Sequence, residues 1–90
     1  MIYLDSAATS FQKPVSVGRA MGRALAAMSS PGRGGYEAAL LASDTLLECR
    51  LALQLLFHVP EPENVVFTLN ATHALNIAIR SLVPPGGRAV

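Results

Sequence analysis

Ninety residues that are 51% hydrophobic and only 14% charged fall well short of the roughly 25% charge of an ordinary soluble domain. The net charge of +1 comes from scattered arginines and one lysine, which excludes the basic footprint of a nucleic-acid binder. No uncharged apolar run reaches membrane-spanning length, and the single cysteine, Cys49, excludes an internal disulfide.

Ninety residues make one small domain or a piece of a larger one. So short and apolar a chain would leave much apolar area exposed as a monomer, so it is expected to pack against the rest of its polypeptide or a partner subunit. With one cysteine and no basic segment leading into an apolar one at the N-terminus, a reducing, cytoplasmic location is expected.

Met1 to Asp5 has the pattern of a short extended segment, followed by the small residues Ser6-Ala7-Ala8-Thr9-Ser10. Such a run is either a plain loop or a place where backbone approaches a ligand closely. Lys13-Pro14 marks a boundary, because the residue before proline avoids helical backbone. Val15 to about Met28 then has helical spacing, with Val17, Met21, Ala24, Leu25 and Met28 on one face, weakened by Gly18 and Gly22. Ser29-Ser30-Pro31-Gly32 ends it. Arg33, followed by Gly34 and Gly35, is either an anion-binding arm or a solvated charge in a flexible linker.

Tyr36 to about His58 is the longest periodic stretch. Leu40, Leu47, Leu51 and Leu55 line one face, widened by Leu41, Leu53 and Leu56, so this helix is expected to be covered on most of its circumference. Cys49 in its middle reads as a small buried hydrophobe. Val59 to Asn64 is a polar, proline-rich turn.

Val65-Val66-Phe67-Thr68-Leu69 is a β-branched and aromatic run of strand type. It leads through Asn70, a good helix N-cap, into a helix with Leu75, Ala78, Ile79 and Leu82 on one face. The backbone N–H groups of Ala71, Thr72 and His73 would then lie in the first helical turn, lacking intrahelical partners. With the helix dipole and the Thr72 hydroxyl they form an anion site, unless this is only an ordinary capped helix after a buried strand. Pro84-Pro85-Gly86-Gly87 stops the helix, and Arg88-Ala89-Val90 has the look of a second strand. Strand, helix, strand predicts a βαβ unit and a parallel sheet, which two strands alone cannot complete. The chain is therefore expected to be a piece of something longer. Neither His58 nor His73 has companions that would make a metal site.

Three stretches in order are similar to one family: Tyr3-Leu4-Asp5-Ser6-Ala7-Ala8-Thr9-Ser10 with Lys13-Pro14, Ser30-Pro31-Gly32-Arg33-Gly34-Gly35, and Phe67 to Asn76. They resemble the amino-terminal portion of the cysteine desulfurases and selenocysteine lyases, class V aminotransferase-like enzymes that use pyridoxal phosphate (PLP). The resemblance covers essentially the whole chain.

It implies an α/β fragment, mainly helical, carrying the opening βαβ unit of a PLP-transferase large domain of the type I aminotransferase kind. Residues 1–35 would be the N-terminal segment and first helix, 36–59 the long helix, and 64–90 the start of the sheet. Ala71, Thr72 and His73 would bind the PLP phosphate. Ala7 and Ala8 would lie near the substrate, and Arg33 would approach the neighbouring subunit's site in a homodimer or higher oligomer. Ser6 stands where many members have Asn, and His73 where many have Glu. The lysine that would bond the cofactor is expected outside these residues, because Lys13 lies in no matching motif. Alone, the chain is expected to be inactive. The resemblance implies removal of sulfur from cysteine or selenocysteine, with another class V transaminase activity, or a self-associating helical module that is no enzyme, as the alternatives.

Overall fold

The computed structural model describes residues 1–88 and Val90, in three α-helices and one short 3-10 turn, with no strand among the described residues. The helices are α1 (Val15–Ala27), α2 (Glu37–Phe57) and α3 (Ala71–Leu82). Two compact units, Met1–Ala52 and Leu53–Val90, divide the chain inside α2.

In the first unit, α1 follows Pro14, whose extended backbone leads straight into the helix without a side-chain cap. It ends as Met28 turns to extended backbone and its N–H donates to the Ala24 carbonyl. Glycines at 18 and 22 do not break it. Ala20, Ala24 and Ala27 of α1, with Met28 just beyond it, share a groove with Leu41, Thr45 and Glu48 of α2. The side chains that are buried are small ones of α2. Ala39 is 0% exposed and Ala42 6%, and no other described residue is buried.

The large apolar residues point elsewhere. Of the five on the anticipated α1 face, Ala24 and Met28 are half-buried, whereas Met21 is exposed and Leu25 is 87% exposed. On α2, Leu40, Leu47, Leu51 and Leu55 are all exposed. The expectation that α2 is covered around most of its circumference is therefore wrong, and so is the buried position of Cys49, which is exposed. The physical reason is the same in both cases: burial on α2 is confined to Ala39 and Ala42, and no described segment covers the leucine stripe or Cys49.

In the second unit, α2 ends on His58, whose φ of 53° is left-handed. The Val59 N–H reaches back to the Gln54 carbonyl at 3.1 Å, the bond that closes a Schellman turn. Gln54 Nε2 donates to the Pro60 carbonyl at 2.8 Å and braces the same corner. Because histidine carries a Cβ into left-handed backbone, His58→Gly should raise stability by about 1 kcal/mol, read from the thermal midpoint. A lowered or unchanged midpoint would mean the ring makes a contact worth the strain.

Beyond this corner, Pro62–Asn64 forms the 3-10 turn and Val65 is extended. Here the expectation of a βαβ unit is overturned. Residues 65–69 lead into α3 without forming a strand. An extended segment becomes a strand only when its N–H and C=O groups pair with a neighbour, and no described segment supplies one. The second anticipated strand, Arg88-Ala89-Val90, includes Ala89, which lies outside the described residues; neither Arg88 nor Val90 is in a strand. The helices themselves fall where spacing placed them, within a residue or two at each end.

Candidate functional site

The start of α3 is the most constructed polar feature of the second unit. Asn70 is extended (φ −166°, ψ 176°), and its Oδ1 accepts the His73 N–H at 2.8 Å. That is the capping arrangement expected of an Asn at this position. The Asn70 carbonyl accepts the Ala74 N–H at 3.1 Å, and the Thr68 hydroxyl donates to the same carbonyl at 3.0 Å. His73 completes the cap in reverse: its Nδ1 accepts the Leu69 N–H at 3.3 Å. A capping box normally uses Glu or Gln at this third helical position to reach back to a backbone N–H. Here the imidazole reaches one residue further back, to the N–H of Leu69 and not to that of the N-cap Asn70. With Nδ1 as acceptor, a neutral ring carries its proton on Nε2.

Of the three first-turn N–H groups, the cap thus takes that of His73. Those of Ala71 and Thr72 remain without an intrahelical partner, beside the Thr72 hydroxyl. No acidic residue stands in this turn, so nothing negative competes for the positive end of the helix dipole. An open concavity of about 640 Å³ adjoins it, lined by Asn70, Thr72, His73, Asn76, Ile77 and Arg80. Thr72, Asn76 and Arg80 lie four residues apart, and Asn76 Nδ2 donates to the Thr72 carbonyl at 2.9 Å. Asn76 and Arg80 escaped the reading of the sequence as site residues, although their i, i+4, i+8 spacing from Thr72 was the available signal. Chemically, the first turn offers two backbone donors and a hydroxyl to a dianion such as a phosphate monoester, while Arg80 stands in the last turn of the same helix.

Ala7, Ala8 and Arg33 lie in the first unit. Ala7 and Ala8 sit in a turn closed by Ala8 N–H to the Asp5 carbonyl at 3.1 Å. The Tyr3 hydroxyl donates across it to the carbonyls of Thr9, at 2.6 Å, and Asp5, at 2.9 Å, and the Tyr3 ring packs against Phe11 with centroids 5.3 Å apart. Lys13 Nζ donates to the Ser10 carbonyl, which ties the only lysine to its own N-terminal segment. Arg33 is exposed on the loop between α1 and α2.

Among the described residues no group of three His, Cys, Asp or Glu side chains comes together to hold a metal ion. None of the helices is long and apolar enough to cross a membrane. In comparisons with known proteins, the family model described as "Aminotransferase class-V" matches residues 2–90. No curated protein and no solved structure matches the chain.

Proposed function

Because the chain belongs to the class-V aminotransferase family, we propose that it forms the amino-terminal part of a PLP-dependent cysteine desulfurase and contributes the turn that holds the cofactor phosphate. The family is generally PLP-dependent, and the turn's chemistry fits that group. The observation that carries the reading is the pair of unpartnered N–H groups at Ala71 and Thr72, with the Thr72 hydroxyl beside them and no carboxylate in the turn. His73 belongs to this site as the residue that locks the turn, with Nε2 left as a further donor.

When bound, PLP supplies an electron sink for chemistry at the Cα of an amino acid. These residues would anchor and orient its phosphate. Ala7 and Ala8 leave room for the substrate, and Arg33 binds its carboxylate, in a homodimer from the neighbouring subunit. The choice of cysteine or selenocysteine over other amino acids rests on the likeness of the Tyr3 to Ser10 and Ser30 to Gly35 stretches to that group of enzymes. The exposed leucines of α2 support an oligomer, and they equally favour the reading as a self-associating module, against which family membership weighs.

The test is sulfide release from L-cysteine under reducing conditions with added PLP. The enzyme that carries this segment together with a PLP lysine should turn over; the 90-residue chain should not. Turnover by the 90 residues alone, or transamination without sulfide by the longer enzyme, would overturn the reading.

A further inference from the structure

We propose that Ser43 and Tyr36 are positioning residues for Arg33, holding the loop between α1 and α2 in one shape so that the guanidinium meets the carboxylate of an amino-acid substrate. The proposal rests on the reading of Arg33 as a substrate-binding residue and adds how it is aimed.

The loop Ser29-Ser30-Pro31-Gly32-Arg33-Gly34-Gly35-Tyr36 contains three glycines, a composition that ordinarily gives a flexible connection. It is instead tied down on both sides of Arg33. Before it, Gly32 adopts a φ of +75°, and its N–H donates to Ser43 Oγ at 3.1 Å. The Ser43 hydroxyl donates in turn to the Ala39 carbonyl at 3.0 Å, so its proton is spent and its lone pairs are left for Gly32. After Arg33, the Tyr36 ring lies so close over Gly34 that a Cβ there would collide with it. The Tyr36 hydroxyl bonds Ser29 Oγ at 2.7 Å, and the Ser29 N–H donates to the Ala38 carbonyl at 3.1 Å.

Ordering such a loop costs roughly 1–2 kcal/mol per residue in backbone entropy. Little apolar burial offsets it, since Arg33, Gly35 and Tyr36 are all exposed. Neither a hydrogen bond nor an ion pair engages the Arg33 side chain among the described residues. A loop held rigid around an exposed, unengaged arginine is preorganised for an anion that arrives from outside, because the ordering cost is met before binding. The planar guanidinium suits the two oxygens of a carboxylate.

The test uses the PLP-loaded enzyme carrying this segment, with L-cysteine as substrate. Ser43→Ala should raise KM about three- to tenfold, the worth of one hydrogen bond, and change kcat by less than about twofold. Ser43→Thr, which keeps the hydroxyl, should restore KM. Tyr36→Phe, which removes only the bond to Ser29, should move KM the same way by a smaller factor. Independently of activity, trypsin should cut the 90-residue chain after Arg33 several times faster in Ser43→Ala than in the parent. If Arg33→Ala leaves KM unchanged, the reading of Arg33 as substrate-binding fails. If Arg33→Ala raises KM but Ser43→Ala does not, or if Ser43→Ala lowers kcat alone, the positioning role is overturned while that reading stands. Equal cleavage of parent and Ser43→Ala also overturns it.

Discussion

Ala71→Pro is expected to weaken PLP binding by the enzyme about tenfold or more while leaving α3 fully helical. Position 71 is the first residue of α3, where proline's missing N–H removes no intrahelical bond and its fixed φ suits the helix. The preceding residue, Asn70, already has the extended backbone that a following proline requires. The substitution therefore deletes one of the two unpartnered donors and little else. A hydrogen bond to a charged acceptor is worth about 1.5–3 kcal/mol, which is about tenfold to somewhat over a hundredfold in affinity. The check is a titration of the cofactor-free enzyme with PLP, followed by absorbance, alongside circular dichroism for helix content. Undiminished affinity would place the phosphate away from this turn. By contrast, Asn70→Ala removes the cap itself and should cost helix stability as well, so it separates less cleanly.

The second large effect concerns the first unit. Ala39→Asp should unfold residues 1–52, seen as loss of helical circular dichroism, whereas Ala39→Gly should cost only about 1 kcal/mol. Ala39 is fully enclosed, and a carboxylate there would be stranded without a partner, a penalty of about 3 kcal/mol or more. Since Ala39 and Ala42 are the only buried residues described, the unit has little else with which to absorb that loss. The Ser43 bond to the Ala39 carbonyl, and through it the Gly32 turn, would be lost with the helix. A mutant that keeps its helix signal and melting temperature would show that the surroundings of Ala39 are looser than its burial implies.

The helices were legible because their signals are local. Pro14, the Ser29 to Gly32 break, Asn70 and the Pro84-Pro85 pair each act through neighbouring backbone, and each element ends where they stand. The strand expectation failed for the opposite reason. Val65 to Leu69 has the side chains of a strand, but strand pairing is a property of two segments, and β-propensity cannot supply the second. Burial failed similarly: the leucine stripe of α2 marks the face that wants covering, whereas the residues that are buried, Ala39 and Ala42, lie off that stripe. At the site, Asn70 was read correctly as the cap, but its consequence was not, because the cap consumes the His73 N–H and leaves two free donors where three were counted. By the resemblance, His73 stands where many members have Glu, and spacing alone gives its side chain no partner. The bond from Leu69 N–H to Nδ1 gives it one.

The outward leucines of α2 carry a thermodynamic consequence. Leu40, Leu47, Leu51 and Leu55 withhold their contribution until something covers them, so the stability of this segment is linked to the binding of whatever does. For a covering partner on a separate chain, well above its dissociation constant, each tenfold dilution should remove about 1.4 kcal/mol, by mass action. A cover on the same polypeptide would leave no such dependence on concentration. The slope of melting temperature against protein concentration thus distinguishes the two kinds of neighbour this apolar face was made to meet.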